Sequence, residues 1–155
     1  MIDLEHDSKY QEQIIEYKFV SELMIELAFE NKKLELMRVH TDSFGYDLIL
    51  KVNDQVKYVQ LKSRKLDGRA NYWDVHRSLL QQENGFVLII FYSFNKNDLQ
   101  LEYNYLDLNK YKSTLEEAPK YKKDKELYCK VSKKDLIKVD SIKELTDVLF
   151  LEVSR

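Results

Sequence analysis

The chain has 155 residues, with 44% apolar and 34% charged residues and a formal net charge of −2. These are the proportions of one ordinary globular domain with a single sizeable core. No apolar run approaches the roughly 20 residues that cross a bilayer. The lone Cys129 excludes an internal disulfide and a cysteine-rich zinc site. The opening MIDLEHDSKY is acidic and has no apolar h-region, so the expected location is the cytoplasm.

Ser8 with Gln11 forms a Ser-x-x-Gln capping box, which opens a predicted long helix reaching about Asn31. Along it Tyr17, Val20, Leu23, Met24, Leu27 and Ala28 fall on one side and are the expected core face. LELMRV, from Leu34 to Val39, reads as a short strand. GYDLILKVNDQVKYVQLKSRK, residues 45 to 65, then alternates apolar and polar residues as a β-hairpin does, with Asn53-Asp54 as its two-residue turn. NYWDVHRSLLQQEN places Trp73, Val75, His76, Leu79 and Leu80 at helical spacing and ends at Gly85. FVLIIFY, 86 to 92, is an unbroken apolar run expected of a central strand covered on both faces. LQLEYNYL, 99 to 106, alternates as a strand covered on one side, and Ser141 with Glu144 caps a C-terminal helix. Gly45, Gly68 and Gly85 all fall in expected loops, and no linker or repeat divides the chain. The result is an α/β fold, a mixed sheet flanked by helices, with a core at about 8–106 and a small extension at 107–155.

The hairpin defines the candidate site. With Val52 opposite Gln55, counting back in step sets Asp47 opposite Gln60, with Cβ atoms about 5 Å apart. Lys62 points to the same face as Gln60. The other face carries Tyr46, Leu48, Leu50, Val52, Val59 and Leu61 and is expected in the core. A slip of one residue would bury either Asp47 or the Gln60–Lys62 pair, so the register supports itself. A carboxylate and an amide carbonyl are hard oxygen ligands suited to Mg²⁺. A lysine beside such an ion can serve a bound water or neutralise charge on a phosphate. That chemistry is phosphodiester hydrolysis by metal-activated water; an exposed polar face without function is the competing reading of the same spacing.

Net charge does not announce a nucleic-acid binder, yet Lys62, Arg64, Lys65, Arg69 and Arg77 crowd a segment holding only Asp67 and Asp74. A second basic stretch, Lys120 to Lys134, reads more simply as solvated surface.

An acidic residue in a first helix, an Asp opening a strand and Gln-x-Lys on the next strand resemble the PD-(D/E)XK nuclease superfamily. The element order also resembles its αβββαβ, restriction-endonuclease-like core, over residues 12 to 92. The segment SELMIELAFENKKLELMRV is similar to the helix and strand preceding the Asp in archaeal-type Holliday junction resolvases. The resemblance implies a Mg²⁺- or Mn²⁺-dependent endonuclease acting on DNA. Asp47, Gln60 and Glu22 would be its metal ligands and Lys62 the motif lysine; Glu26 and Glu16 are alternatives to Glu22 on the helix. It also implies phosphate contacts from Arg64, Arg69, His76 and Arg77 and leaves room for a homodimer. His76 equally fits a packed histidine. Tyr46 stands where the name-giving proline would be, and Gln60 replaces the usual glutamate, which removes one ligand charge. A catalytically inactive nuclease-fold module, binding nucleic acid or a protein partner, is therefore the alternative.

Overall fold

The computed structural model describes residues 6–40, 44–108 and 127–151. The opening pentapeptide and residues 120–126 of the 120–134 basic stretch lie outside the described residues.

Helix α1 (Ser8–Phe29) is followed by β1 (Leu34–Arg38) and the hairpin β2 (Leu48–Val52) and β3 (Gln55–Lys65). Next come β4 (Tyr72–His76), a short α2 (Arg77–Gln81), β5 (Gly85–Asn95) and β6 (Asp98–Leu106). After the undescribed segment, β7 (Tyr128–Ser132), β8 (Leu136–Val139) and α3 (Ile142–Phe150) complete the chain. Six strands form a mixed sheet in the order β1-β2-β3-β5-β6-β8, and β4 pairs with β7 as a separate ribbon. Only β3 and β5 run parallel among these pairings; the others are antiparallel. Among the described residues no helix is long and apolar enough to cross a membrane.

Two apolar layers sandwich the sheet, and the alternation of β5 shows how. Phe86, Leu88, Ile90 and Tyr92 pack with α1 and α3, against Phe19, Leu23, Leu145 and Leu149. Val87, Ile89 and Phe91 point the other way, against Trp73, Val75 and Val131 of the ribbon and Leu79 and Leu80 of α2. A strand clad on both faces must be continuously apolar, which is why FVLIIFY has no polar interruption.

Four sequence expectations change. Asp7, not Ser8, caps α1: its carboxylate accepts the Tyr10 amide at 3.1 Å. The core face of α1 is Ile15, Phe19, Val20, Leu23 and Leu27, whereas Tyr17, Met24 and Ala28 are exposed. The helix carries two apolar stripes, and periodicity alone does not say which one faces the sheet. Residues 72–76 form a strand, because Trp73 and Val75 find partners in Val131 and Cys129 on β7, far along the chain. The helical segment shrinks to Arg77–Gln81.

The fourth change concerns the hairpin. Leu48 to Val52 pair with Val59 to Gln55 in the expected register, and Asn53 in the turn takes a left-handed φ of 54°. At Asp47, however, the ladder slips. Its amide donates to the Val59 carbonyl at 2.8 Å, although Val59 is already the partner of Leu48. Two residues against one is a β-bulge, which reverses the alternation. Tyr46 therefore packs on the ribbon side, its ring 5.0 Å from that of Tyr58, and not with Leu48.

Candidate active site

The bulge turns the Asp47 side chain toward β3. Its Oδ2 accepts the backbone amide of Leu61 at 2.9 Å, taking the place of a ladder carbonyl. The carboxylate is thereby fixed beside Gln60 and Lys62, which project from the same face of β3 on either side of Leu61. An ionised carboxylate offers about four acceptor positions, so one such bond does not exhaust it.

Asp47, Gln60 and Lys62 line one cavity of about 260 Å³, together with Asp74 and His76 of β4 and Tyr128 of β7. Asp47 and Lys62 also line a second cavity of about 370 Å³, with Glu12 and Glu16 of α1 and Arg64 of β3. Asp47 and Lys62 line both hollows, which therefore share a wall. Glu16 is held by Arg38, whose Nε lies 2.6 Å from its Oε1.

Gln60 carries the most informative polar atom. Its Oε1 is buried and has no hydrogen-bond partner. Burying an amide carbonyl without a partner costs on the order of 1–3 kcal/mol, so such an atom asks for a ligand. Among the described residues no three His, Cys, Asp or Glu side chains form a metal-binding cluster. An ion here would draw on one carboxylate, the Gln60 amide and water. This is the sparse, water-rich shell that suits Mg²⁺ better than a metal needing a full protein cage. The donor set fits a hard divalent cation on those terms.

His76 is firmly oriented. As N-cap of α2 its Nδ1 accepts the Ser78 amide at 3.2 Å and lies 2.7 Å from Ser78 Oγ, which in turn donates to the Phe44 carbonyl. Its ring meets Tyr128 edge-on at 5.3 Å. Gly45 presses against it with φ of 78°, and a Cβ there would overlap the His76 Cβ. With Nδ1 accepting, the neutral ring carries its proton on Nε2, which can donate to a ligand oxygen.

The structure brings Asp47, Gln60, Lys62, Arg64 and His76 to these cavities and leaves the other expected residues outside. Glu22 lies about 9 Å further along the α1 axis than Glu16. There it accepts the Tyr103 hydroxyl and pairs with Lys18 at 3.0 Å. It lines a different groove, with Glu26, on the far side of β6. Arg69 sits in the exposed loop after β3, and Arg77 opens α2 with its amide donating to Leu127. The sequence reading missed Glu12, which precedes Glu16 by one turn, and Asp74, which a strand assignment for 72–76 would have placed beside His76. Cys129 is buried in the ribbon layer, where desolvation raises its thiol pKa, so it is no nucleophile.

Comparison of the chain with protein-family models, with curated proteins and with solved structures gives no match.

Proposed function

We propose that this chain is a metal-dependent nuclease with a restriction-endonuclease-like core, hydrolysing phosphodiester bonds in DNA. The observation that carries the reading is the buried, unpartnered Gln60 Oε1 in a cavity shared with Asp47 and Lys62. The reading is supported by the order of a helix, a hairpin and a strand β5 pairing parallel with β3, which accompanies these groups in the sheet.

Asp47 and Gln60 would hold Mg²⁺ or Mn²⁺, and the chemistry supplied by that ion is activation of water and neutralisation of phosphoryl charge. Lys62 donates to the attacking water or to a non-bridging phosphate oxygen as negative charge develops there. Glu12 and Glu16 take the helix-carboxylate role that the resemblance assigns to Glu22, since they share a cavity with Asp47 and Lys62. Arg64, at the mouth of the same cavity, anchors the phosphate backbone.

The test is an incubation of the protein with plasmid and oligonucleotide duplexes in Mg²⁺, Mn²⁺ or EDTA. Cleavage is expected with either metal and lost in EDTA. Lys62→Ala and Asp47→Asn should each reduce it by about 100-fold or more. A second reading, a nuclease-fold module that binds without cutting, is favoured by the charge missing at Gln60. Binding of DNA without cleavage under every metal condition would establish that reading instead.

A further inference from the structure

We infer that the site takes single-stranded DNA in preference to duplex, with Phe44 as the platform on which an unpaired base stacks. This rests on the reading of the site as one that takes DNA, and adds the form of the strand. Phe44 is 56% exposed. Its ring nevertheless has a fixed place. It stacks on Tyr46 with centroids 6.1 Å apart and planes 23° from parallel, and Tyr46 in turn meets Tyr58 at 5.0 Å. The Phe44 carbonyl accepts the Ser78 hydroxyl at 2.9 Å. The next residue, Gly45, lines the cavity of Asp47, Gln60 and Lys62 and is pressed against His76. Three residues of chain span at most about 11 Å, so the Phe44 backbone lies within that distance of Asp47. A large exposed ring, held in place at the rim of the cavity, offers a π-face to a base at small entropic cost.

Stacking needs an unpaired base. Inside a duplex both faces of each base are covered by its neighbours, and exposing one means taking it out of the stack. Depth agrees. Gln60 Oε1 is buried, and the cavity of about 260 Å³ beside it is lined from β3 and from both strands of the β4–β7 ribbon. A phosphate that reaches Gln60 must enter this recess. A single strand turns its backbone inward by rotation about its own bonds, whereas a duplex must deform against its stiffness. Charge points the same way. At the two cavities the lysine and arginine side chains are Lys62 and Arg64, against Glu12, Glu16, Asp47 and Asp74. Duplex binding draws on many phosphate contacts. A site with two such cations must take much of its affinity from stacking, as sequence-tolerant single-strand binders do. Duplexes are then cut through frayed ends and transiently opened pairs, more slowly than single strands.

The test separates binding from catalysis. The full chain is titrated onto a labelled strand of about 20 nucleotides and onto its duplex, in EDTA and in Ca²⁺, with fluorescence anisotropy as the readout. The single strand should bind about tenfold more tightly than the duplex or better. Phe44→Ala should weaken single-strand binding by about tenfold, the size of one stacked base, with unchanged circular dichroism because the ring is exposed. Phe44→Trp should restore it, and its added indole fluorescence should be quenched by the single strand and not by the duplex. Salt dependence should be the same in parent and Phe44→Ala, since no charge is removed. An abasic strand of equal length should bind both alike.

Duplex binding as tight as single-strand binding overturns the inference. So does a Phe44→Ala variant that binds the single strand as the parent does. No binding of the single strand in either condition also overturns it, and leaves Phe44 to a protein partner. Cleavage in Mg²⁺ is scored apart from binding. Single strands bound through Phe44 and never cut end the nuclease reading and leave this inference standing. Preferential cutting of duplexes ends this inference and leaves the nuclease standing.

Discussion

The Asp47 carboxylate accepts the Leu61 amide at 2.9 Å, tying the start of β2 to β3, and it faces the same cavity as Gln60 and Lys62. Substitution can separate the structural duty from the chemical one. Asp47→Asn keeps an oxygen for the Leu61 amide and loses the charge, so chemical denaturation should register a change below about 1 kcal/mol while Mn²⁺ binding falls. Asp47→Ala orphans the amide and should cost about 1–3 kcal/mol more. Gln60 gives the opposite sign. Its Oε1 is buried and unpartnered, so Gln60→Met removes a desolvation cost and should raise the unfolding free energy by about 1 kcal/mol in EDTA. The same variant should lose the stabilisation that added Mg²⁺ or Mn²⁺ confers on the parent chain. A Gln60→Met variant less stable than the parent in EDTA would mean that the amide already has a partner. Gly45 supports the site from behind. Its φ of 78° and its contact with His76 leave no room for a Cβ, so Gly45→Ala should cost about 2 kcal/mol or more and displace His76 from the cavity.

At the scale of elements, local signals identify what they control and stop there. Ser141 caps the C-terminal helix as its spacing to Glu144 predicts: the Glu144 amide donates to Ser141 Oγ at 3.1 Å, while the Glu144 carboxylate accepts the amide of Asp140, the residue before the N-cap, at 2.9 Å. Ser141→Ala should therefore lower stability by about 1 kcal/mol in urea unfolding, with no effect on the cavities across the sheet. The hairpin is legible for the same reason, since Asn53-Asp54 fixes both turn and register without help from distant residues. So is β5, whose apolar run reports burial on both faces. Three features were not legible. The strand β4 exists because β7 pairs with it from more than fifty residues away, and the same residues also satisfy a helical pattern. The rotation of α1 depends on which of two apolar stripes meets the sheet. The bulge at Asp47 depends on a side chain replacing a backbone acceptor, which no alternation pattern records. The axial position of Glu22, about 9 Å beyond Glu16 along α1, takes it out of the site and leaves Glu12 and Glu16 there, and the strand assignment brings Asp74 alongside His76. Asp47, Gln60 and Lys62 needed only the hairpin, and they are the residues that stayed together.

For the molecule as a whole, the titrating groups whose pKa values move in the folded state lie on the sheet and predict an alkaline limit. Burial raises the phenol pKa of Tyr92, Tyr103 and Tyr105, and Tyr103 is raised furthest because its hydroxyl also donates to the Glu22 carboxylate. A group raised in the folded state contributes stability that is complete below its unfolded pKa of about 10 and is lost as pH climbs toward the folded value. Lys57 moves the other way. Burial lowers its pKa, so the cost of holding an ammonium there is present at neutral pH and is relieved as the pH approaches its unfolded value of about 10.4. The Lys57 effect raises stability as the pH nears 10, while the Cys129 thiol, raised by burial, gives up stability as the pH climbs above its unfolded value of about 8.5. Unfolding free energy measured from pH 7 to pH 12 should accordingly change little up to about 10, where the two oppose each other, and then fall steeply as the three tyrosines ionise. Tyr103→Phe separates the contributions. At pH 7 it should be less stable than the parent by about 1 kcal/mol, through loss of the bond to Glu22. Above about pH 10 its decline should be shallower, since one fewer phenol resists ionisation. Curves for parent and variant that stay parallel through the alkaline range would show that Tyr103 ionises as easily folded as unfolded, and that the contact between α1 and β6 does not seal it from solvent.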